Sequence, residues 1–143
     1  MNYLNYLPFF LHCVAAVQIG VAMMNLFLVR LLKWDTELTA MPLLVRQVFQ
    51  VHAWFISVSL AIFGVLTWRF AGEMAQGTTA IAQWLCVGIG AFWAIRTVLQ
   101  VAYYSSSHWR GQPGRTAIHF LLLFCYGGMS FVYLLTGFRT RLL

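Results

Sequence analysis

Four long apolar runs, separated by three short polar stretches, organise this chain. The runs cover residues 7–32, 43–68, 79–104 and 116–138. Each reaches the roughly 20 residues that a helix needs to cross the hydrocarbon of a bilayer. The pattern predicts an all-α fold, a four-transmembrane-helix antiparallel up-down bundle forming a single integral membrane domain over residues 1–143. Short connections make successive helices antiparallel neighbours. The breaks carry helix-stopping chemistry: Lys33, Trp34, Asp35, Thr36 and Glu37 lead into Met41-Pro42, and Pro42 suits the start of the second helix. Residues 71–77 and 105–114 read as the second and third loops.

Polar residues within the runs recur at helical spacing. Gln18, Ala22 and Asn25 share a face of the first helix, and Arg96, Gln100 and Tyr103 share one of the third. Arg115, His119, Tyr126, Ser130 and Tyr133 form a stripe on the fourth. Such stripes should point into a bundle, where polar groups bond across helices. The second helix is ambiguous. Gln47, Gln50, Trp54 and Ser57 lie on one face and His52 with Ser59 on another, so one set faces the core and the other a partner, the interface or lipid. The Gly88/Gly90 and Gly127/Gly128 pairs read as sites of close helix packing.

Composition agrees with the pattern. The chain is 62% apolar, 17% aromatic and only 8% charged, against roughly a quarter charged in a soluble domain. Mean hydropathy is +0.78. The net charge of +6 comes mainly from single basic residues at helix ends, which fits membrane topology and lipid headgroups and argues against nucleic acid. Arg30, Lys33, Arg46, Arg110 and Arg115 flank the first and third loops, whereas Arg69, Arg139 and Arg141 lie on the side of the termini. The imbalance puts the first and third loops in the cytoplasm, and the expected location is a bacterial inner membrane. Trp34, Trp68, Trp84, Tyr103, Tyr104 and Trp109 sit near the boundaries as interfacial anchors. With no Lys or Arg in residues 1–9, the first run reads as a retained helix rather than a signal peptide.

Arg96 brings candidate chemistry into this frame. It lies more than two turns inside the third run, where a charge is expensive and is kept facing protein, water or a ligand. The three carboxylates, Asp35, Glu37 and Glu73, all lie outside the runs, leaving Arg96 to be met by neutral groups, water or a ligand. His52 and His119 fall at similar depth, with Gln100 and Asn25 in the same leaflet, whereas His12 lies near the other surface. A basic polar pocket follows, with Arg96, Gln100, His119, Gln50, His52, Tyr126, Asn25 and Tyr103 as candidate binding residues.

Three readings of the pocket follow. In one, the protein is an accessory subunit of a larger membrane complex or a homo-oligomer. In another, the pocket binds a lipid or quinone-like amphiphile, its head held by Arg96. In the alternative, the chain is an electron-transfer protein with His52 and His119 as axial metal ligands of haem b. No catalytic residue can be named. Cys13, Cys86 and Cys125 are isolated, no Asp or Glu lies inside the runs for a di-iron or proton-coupled site, and there is no Ser-His-Asp constellation or phosphate loop.

Two strings add a resemblance. Residues 41–52, Met-Pro-Leu-Leu-Val-Arg-Gln-Val-Phe-Gln-Val-His, and 93–104, Trp-Ala-Ile-Arg-Thr-Val-Leu-Gln-Val-Ala-Tyr-Tyr, resemble a family of small four-helix bacterial membrane proteins. In that family an Arg-Gln pair opens the second helix, and a Trp-x-x-Arg-x-x-x-Gln run on the third ends in aromatics. The resemblance implies no activity, and draws attention to Arg46, Gln47, His52, Arg96 and Gln100. The microsomal glutathione-transferase type is similar in size and helix count, but its acidic site residues have no counterpart here.

Overall fold

Helix-forming apolar residues dominate, and the computed structural model is helical through almost all that it describes, residues 6–31, 34–103 and 113–142. The elements are α1 (Leu7–Leu26), α2 (Leu28–Leu31), α3 (Asp35–Ala40), α4 (Leu43–Gln76), α5 (Ala80–Ala102) and α6 (Pro113–Leu142). No strand occurs among the described residues. Helices α1, α4 and α5, and residues 116–139 of α6, are long and apolar enough to cross a membrane, which is compatible with a multi-pass membrane protein. Lys33, Tyr104, Trp109, Arg110 and most of the expected third loop lie outside the described residues, as do the side chains of Asp35, Glu37, Arg115 and Arg141.

Two boundaries differ from the sequence expectation. The first connection contains the short helix α3, with Leu38 buried. It ends at Met41, whose extended backbone (φ −78°, ψ 151°) is what a residue before proline must adopt. The expected second loop is helical as far as Gln76. Ala71, Met74 and Ala75 are buried, and packing carries the helix through a stretch whose composition suggested a loop. At Phe70 the backbone leaves helical values (φ −110°, ψ 16°), so α4 is broken there. Its 34 residues would otherwise extend about 51 Å, well beyond the roughly 30 Å hydrocarbon layer.

The chain divides into two units. Residues 12–69 form one, and residues 1–11 with 70–143 form the other. In the first, α1 packs on α4 through small residues and polar bonds. A Cβ at Gly64 would stand 2.6 Å from Ile19 Cγ1 and 3.3 Å from the Ala15 carbonyl, so only glycine allows this approach. Ala15 and Ala22 are buried. Gln18 Nε2 donates to Leu60 O at 3.2 Å, and Asn25 Nδ2 donates to Ala53 O at 3.0 Å and Ser57 Oγ at 2.8 Å. The rings of His12 and Trp68 meet edge to face at 5.1 Å. The partners step backwards along α4 as they step forwards along α1.

In the second unit α5 and α6 pair in the same way. A Cβ at Gly90 would lie 2.8 Å from Leu134 Cγ and 3.1 Å from its backbone nitrogen. One at Gly137 would lie 2.7 Å from Val87 Cγ2 and 3.2 Å from Gln83 O. Ser130 Oγ donates to Gly90 O at 3.0 Å. Of the four glycines expected at close contacts, Gly90 makes one, Gly127 reaches Thr97 Cγ2 at 3.9 Å, and Gly88 and Gly128 meet nothing within 4 Å. Gly64 and Gly137 carry the approaches that those two do not.

The turn from α4 to α5 is fully built. Gly77, at φ 64°, takes the left-handed position that ends helices, and its N–H bonds Glu73 O at 2.9 Å. Gln83 Nε2 donates to Gly77 O at 2.9 Å, and Thr79 Oγ1 accepts from Ala82 N as the N-cap of α5. Arg139, near the end of α6, donates from Nη1 to Ala75 O and more distantly from Nη2 to Gln76 O. A guanidinium at a helix C-terminus satisfies orphan carbonyls and opposes the negative end of the dipole.

Leucine in place of Gly90 or Gly137 should force α5 and α6 apart. We expect Gly90→Leu and Gly137→Leu to lose about 1–3 kcal/mol, the usual cost of overpacking, measured by thermal unfolding in detergent. Gly88→Leu and Gly128→Leu should stay within about 0.5 kcal/mol of the parent, as surface changes do.

Candidate functional site

The polar stripe of α5 is set by spacing. Trp93, Arg96 and Gln100, three and four residues apart, stand on one side of the helix. Opposite them α6 presents His119, Tyr126 and Ser130, again within one helical stripe. Because α5 and α6 are held close at Gly90, these side chains meet.

Tyr126 is the centre of the cluster. It is buried, and its ring stacks on Trp93 with centroids 5.1 Å apart and planes at 24°. The guanidinium carbon of Arg96 lies 4.9 Å from the same ring centroid. A cation over an aromatic face gains about 0.5–2 kcal/mol, the upper end applying where water is excluded. This contact offsets part of the cost of holding a charge among apolar residues. Trp93 is itself buried, and its carbonyl accepts a bond from Thr97 Oγ1 at 2.8 Å.

One turn further along α5, Gln100 is only 3% exposed. Its Nε2 lies 3.0 Å from His119 Nδ1. With the imidazole proton on Nε2, the Gln100 amide donates to His119 Nδ1. Gln100 Oε1 is then left buried with no hydrogen-bond partner, and it is the one such side-chain atom among the described residues. An unmet buried acceptor costs about 1–3 kcal/mol, and native proteins keep few of them. Its position beside a cation and an imidazole marks this spot as the candidate site.

The structure therefore brings together four of the expected residues: Arg96, Gln100, His119 and Tyr126. Tyr103, the C-cap of α5, is 82% exposed and stands outside the cluster. Asn25, Gln50 and His52 belong to the unit of residues 12–69. There Asn25 is engaged by Ala53 and Ser57, Gln50 is exposed, and His52 is exposed with Nδ1 2.9 Å from Val48 O. Both imidazoles thus have protein partners, and nothing among the described residues adds support for haem ligation. Nor does any group of three or more His, Cys, Asp or Glu there stand ready to hold a metal ion. Trp93 was missed as a site residue. Its signal was in the sequence, three residues before Arg96 on the stripe that ends in Gln100.

No family model, curated protein or solved structure matches this chain. The resemblance drawn from residues 41–52 and 93–104 gains no further support, and function has to be argued from geometry.

The Gln100–His119 pair makes a clear energetic prediction. Removing one partner strands the other, whereas replacing both by apolar groups of similar size removes the debt. His119→Leu should cost about 1–3 kcal/mol, and Gln100→Leu with His119→Leu together should cost less than that single change. A double-mutant cycle on thermal unfolding measures the difference.

Proposed function

We propose that this chain is a multi-pass membrane protein that binds the polar head of a lipid or quinone-like amphiphile at the Arg96–Gln100–His119 cluster. In this reading the four long helices cross the bilayer as an antiparallel up-down bundle. The opposite stepping of contacts within each unit supports that arrangement. The first and third loops face the cytoplasm of a bacterial inner membrane, on the count of basic flanks.

The buried, unmet Gln100 Oε1 carries the binding reading. A bundle that satisfies Gln18, Asn25, Ser57 and Ser130 with near-by partners leaves this acceptor without one. A ligand that completes it supplies the hydrogen bond that this acceptor lacks. Arg96 adds a permanent positive charge one turn away, and guanidinium is well suited to carboxylate, phosphate or carbonyl oxygens.

The test is native mass spectrometry of gently purified protein, followed by organic extraction. The parent should carry a bound amphiphile, and Arg96→Met, which keeps the apolar length, should lose it about tenfold or more, as expected for a charge-assisted contact. Undiminished lipid in a folded Arg96→Met protein would sink the proposal.

A second reading is favoured by α4. Its outward face exposes Gln50, Val51, Trp54 and Phe55, with Gln47 and His52 also exposed. Polar side chains turned outward from a membrane helix are normally met by another helix, which suits an accessory subunit. Extraction in mild detergent should then give one defined larger assembly on native gels, reduced to a lone bundle by Gln47→Leu with Gln50→Leu. A lone bundle from the parent under the same conditions would count against it.

A further inference from the structure

We infer that the amphiphile head taken at this site is both an anion and a hydrogen-bond donor, as in a phosphodiester lipid whose headgroup carries a hydroxyl. The inference rests on the binding reading above and goes on to name the chemistry of the ligand.

Two observations carry it. First, the unmet atom is an acceptor. With the imidazole proton of His119 on Nε2, Gln100 Nε2 donates to His119 Nδ1, and Oε1 is what remains. An acceptor is completed only by a donor, so a ketone or ester carbonyl, or a phosphate without a hydroxyl, leaves it as it was. Second, Arg96 stands four residues before Gln100, on the same face and one turn away, about 5–6 Å between Cβ atoms. A headgroup that places its anion at Arg96 must then present its hydroxyl a comparable distance away. A glycerol head joined through a phosphodiester has that reach.

Depth selects a headgroup over a ring lying at mid-membrane. Helix α5 ends at Ala102, six residues beyond Arg96 and two beyond Gln100. At about 1.5 Å per residue the two groups lie roughly 9 and 3 Å inside that end. Gln100 is thus near the level where headgroups meet the hydrocarbon, and Arg96 lies one turn deeper. The stacked Trp93 and Tyr126 continue the cluster inward, both buried between α5 and α6.

The test uses the delipidated full-length protein in mild detergent. It is titrated with phosphatidylglycerol, phosphatidylmethanol and phosphatidylcholine of identical chains, with bound lipid read by native mass spectrometry. Phosphatidylmethanol has the same phosphodiester charge as phosphatidylglycerol but no hydroxyl. Phosphatidylglycerol should bind about fivefold or more tighter than phosphatidylmethanol, the net worth of one hydrogen bond, and both should outbind phosphatidylcholine. Gln100→Leu should abolish the preference between the two anionic lipids, and its thermal unfolding in the same detergent reports whether the variant is folded. Equal binding of the two anionic lipids by the parent, or a preference that survives Gln100→Leu, overturns the donor inference and leaves amphiphile binding intact. Equal binding of all three lipids, unchanged in Arg96→Met, overturns the binding reading and this inference with it. Glycerol 3-phosphate binding as tightly as the lipid would overturn the assignment to a membrane lipid in favour of a free phosphate ester.

Discussion

In apolar surroundings a polar group has to find its partner within the protein, and this constraint organises the helix contacts. Backbone groups are satisfied inside each helix. Polar side chains then reach across to a neighbouring helix, often to a carbonyl that can accept a second bond. Gln18 reaches Leu60 O, Asn25 reaches Ala53 O and Ser130 reaches Gly90 O. Such bonds need the backbones to come close, and glycine supplies the room. At Gly90 one residue does both, offering the carbonyl and omitting the Cβ that would collide with Leu134. Close approach and polar satisfaction are thus a single device, used in each unit. Without the short side chains, the long polar ones could not span the gap.

Much of this was legible in the sequence, because a polar residue in an apolar run reports its face through the 3.6-residue period. Gln18, Ala22 and Asn25 of α1, Arg96 and Gln100 of α5, and His119, Tyr126, Ser130 and Tyr133 of α6 turn towards neighbours within each unit, whereas Tyr103 of the α5 stripe is exposed. Where a helix carries two polar sets, the period could not choose between them. Of the α4 set, Ser57 is buried against Asn25, whereas Gln47, Gln50 and Trp54 are exposed. The period placed these residues near one another on the helix. It could not say how far along α4 its neighbour would reach.

The remaining misreadings also have physical sources. The segment at 71–76 has the composition of a loop, yet Ala71, Met74 and Ala75 are small or flexible enough to bury, and packing overrides the composition. The glycine pairs were judged by adjacency. In a helix, residues one or two apart point about 100° or 200° apart, so only one member of such a pair faces a given neighbour. Gly90 does and Gly88 does not. As for the site, the residue types and spacing were visible, but its distinguishing feature was not. Which amide atom of Gln100 is left over depends on the reach of His119 from a helix nineteen residues on.

Arg139 and Arg96 show why that leftover atom matters more than the charges themselves. Both are arginines in the same unit, and both lie against neighbouring helices. Arg139 is directed at carbonyls that α4 must expose because it ends there, so cation and helix terminus answer each other. That arrangement is complete, and it explains the residue without any ligand. Arg96 lies with its guanidinium over the Tyr126 ring, a contact that eases a charge among apolar residues. One turn away, Gln100 makes one bond and keeps one acceptor buried and unmet. Leucine at both Gln100 and His119 would carry no such desolvation cost, whereas leucine at Gln100 alone would strand the imidazole. In the proposed reading a headgroup completes this acceptor, which the protein's own side chains leave unmet.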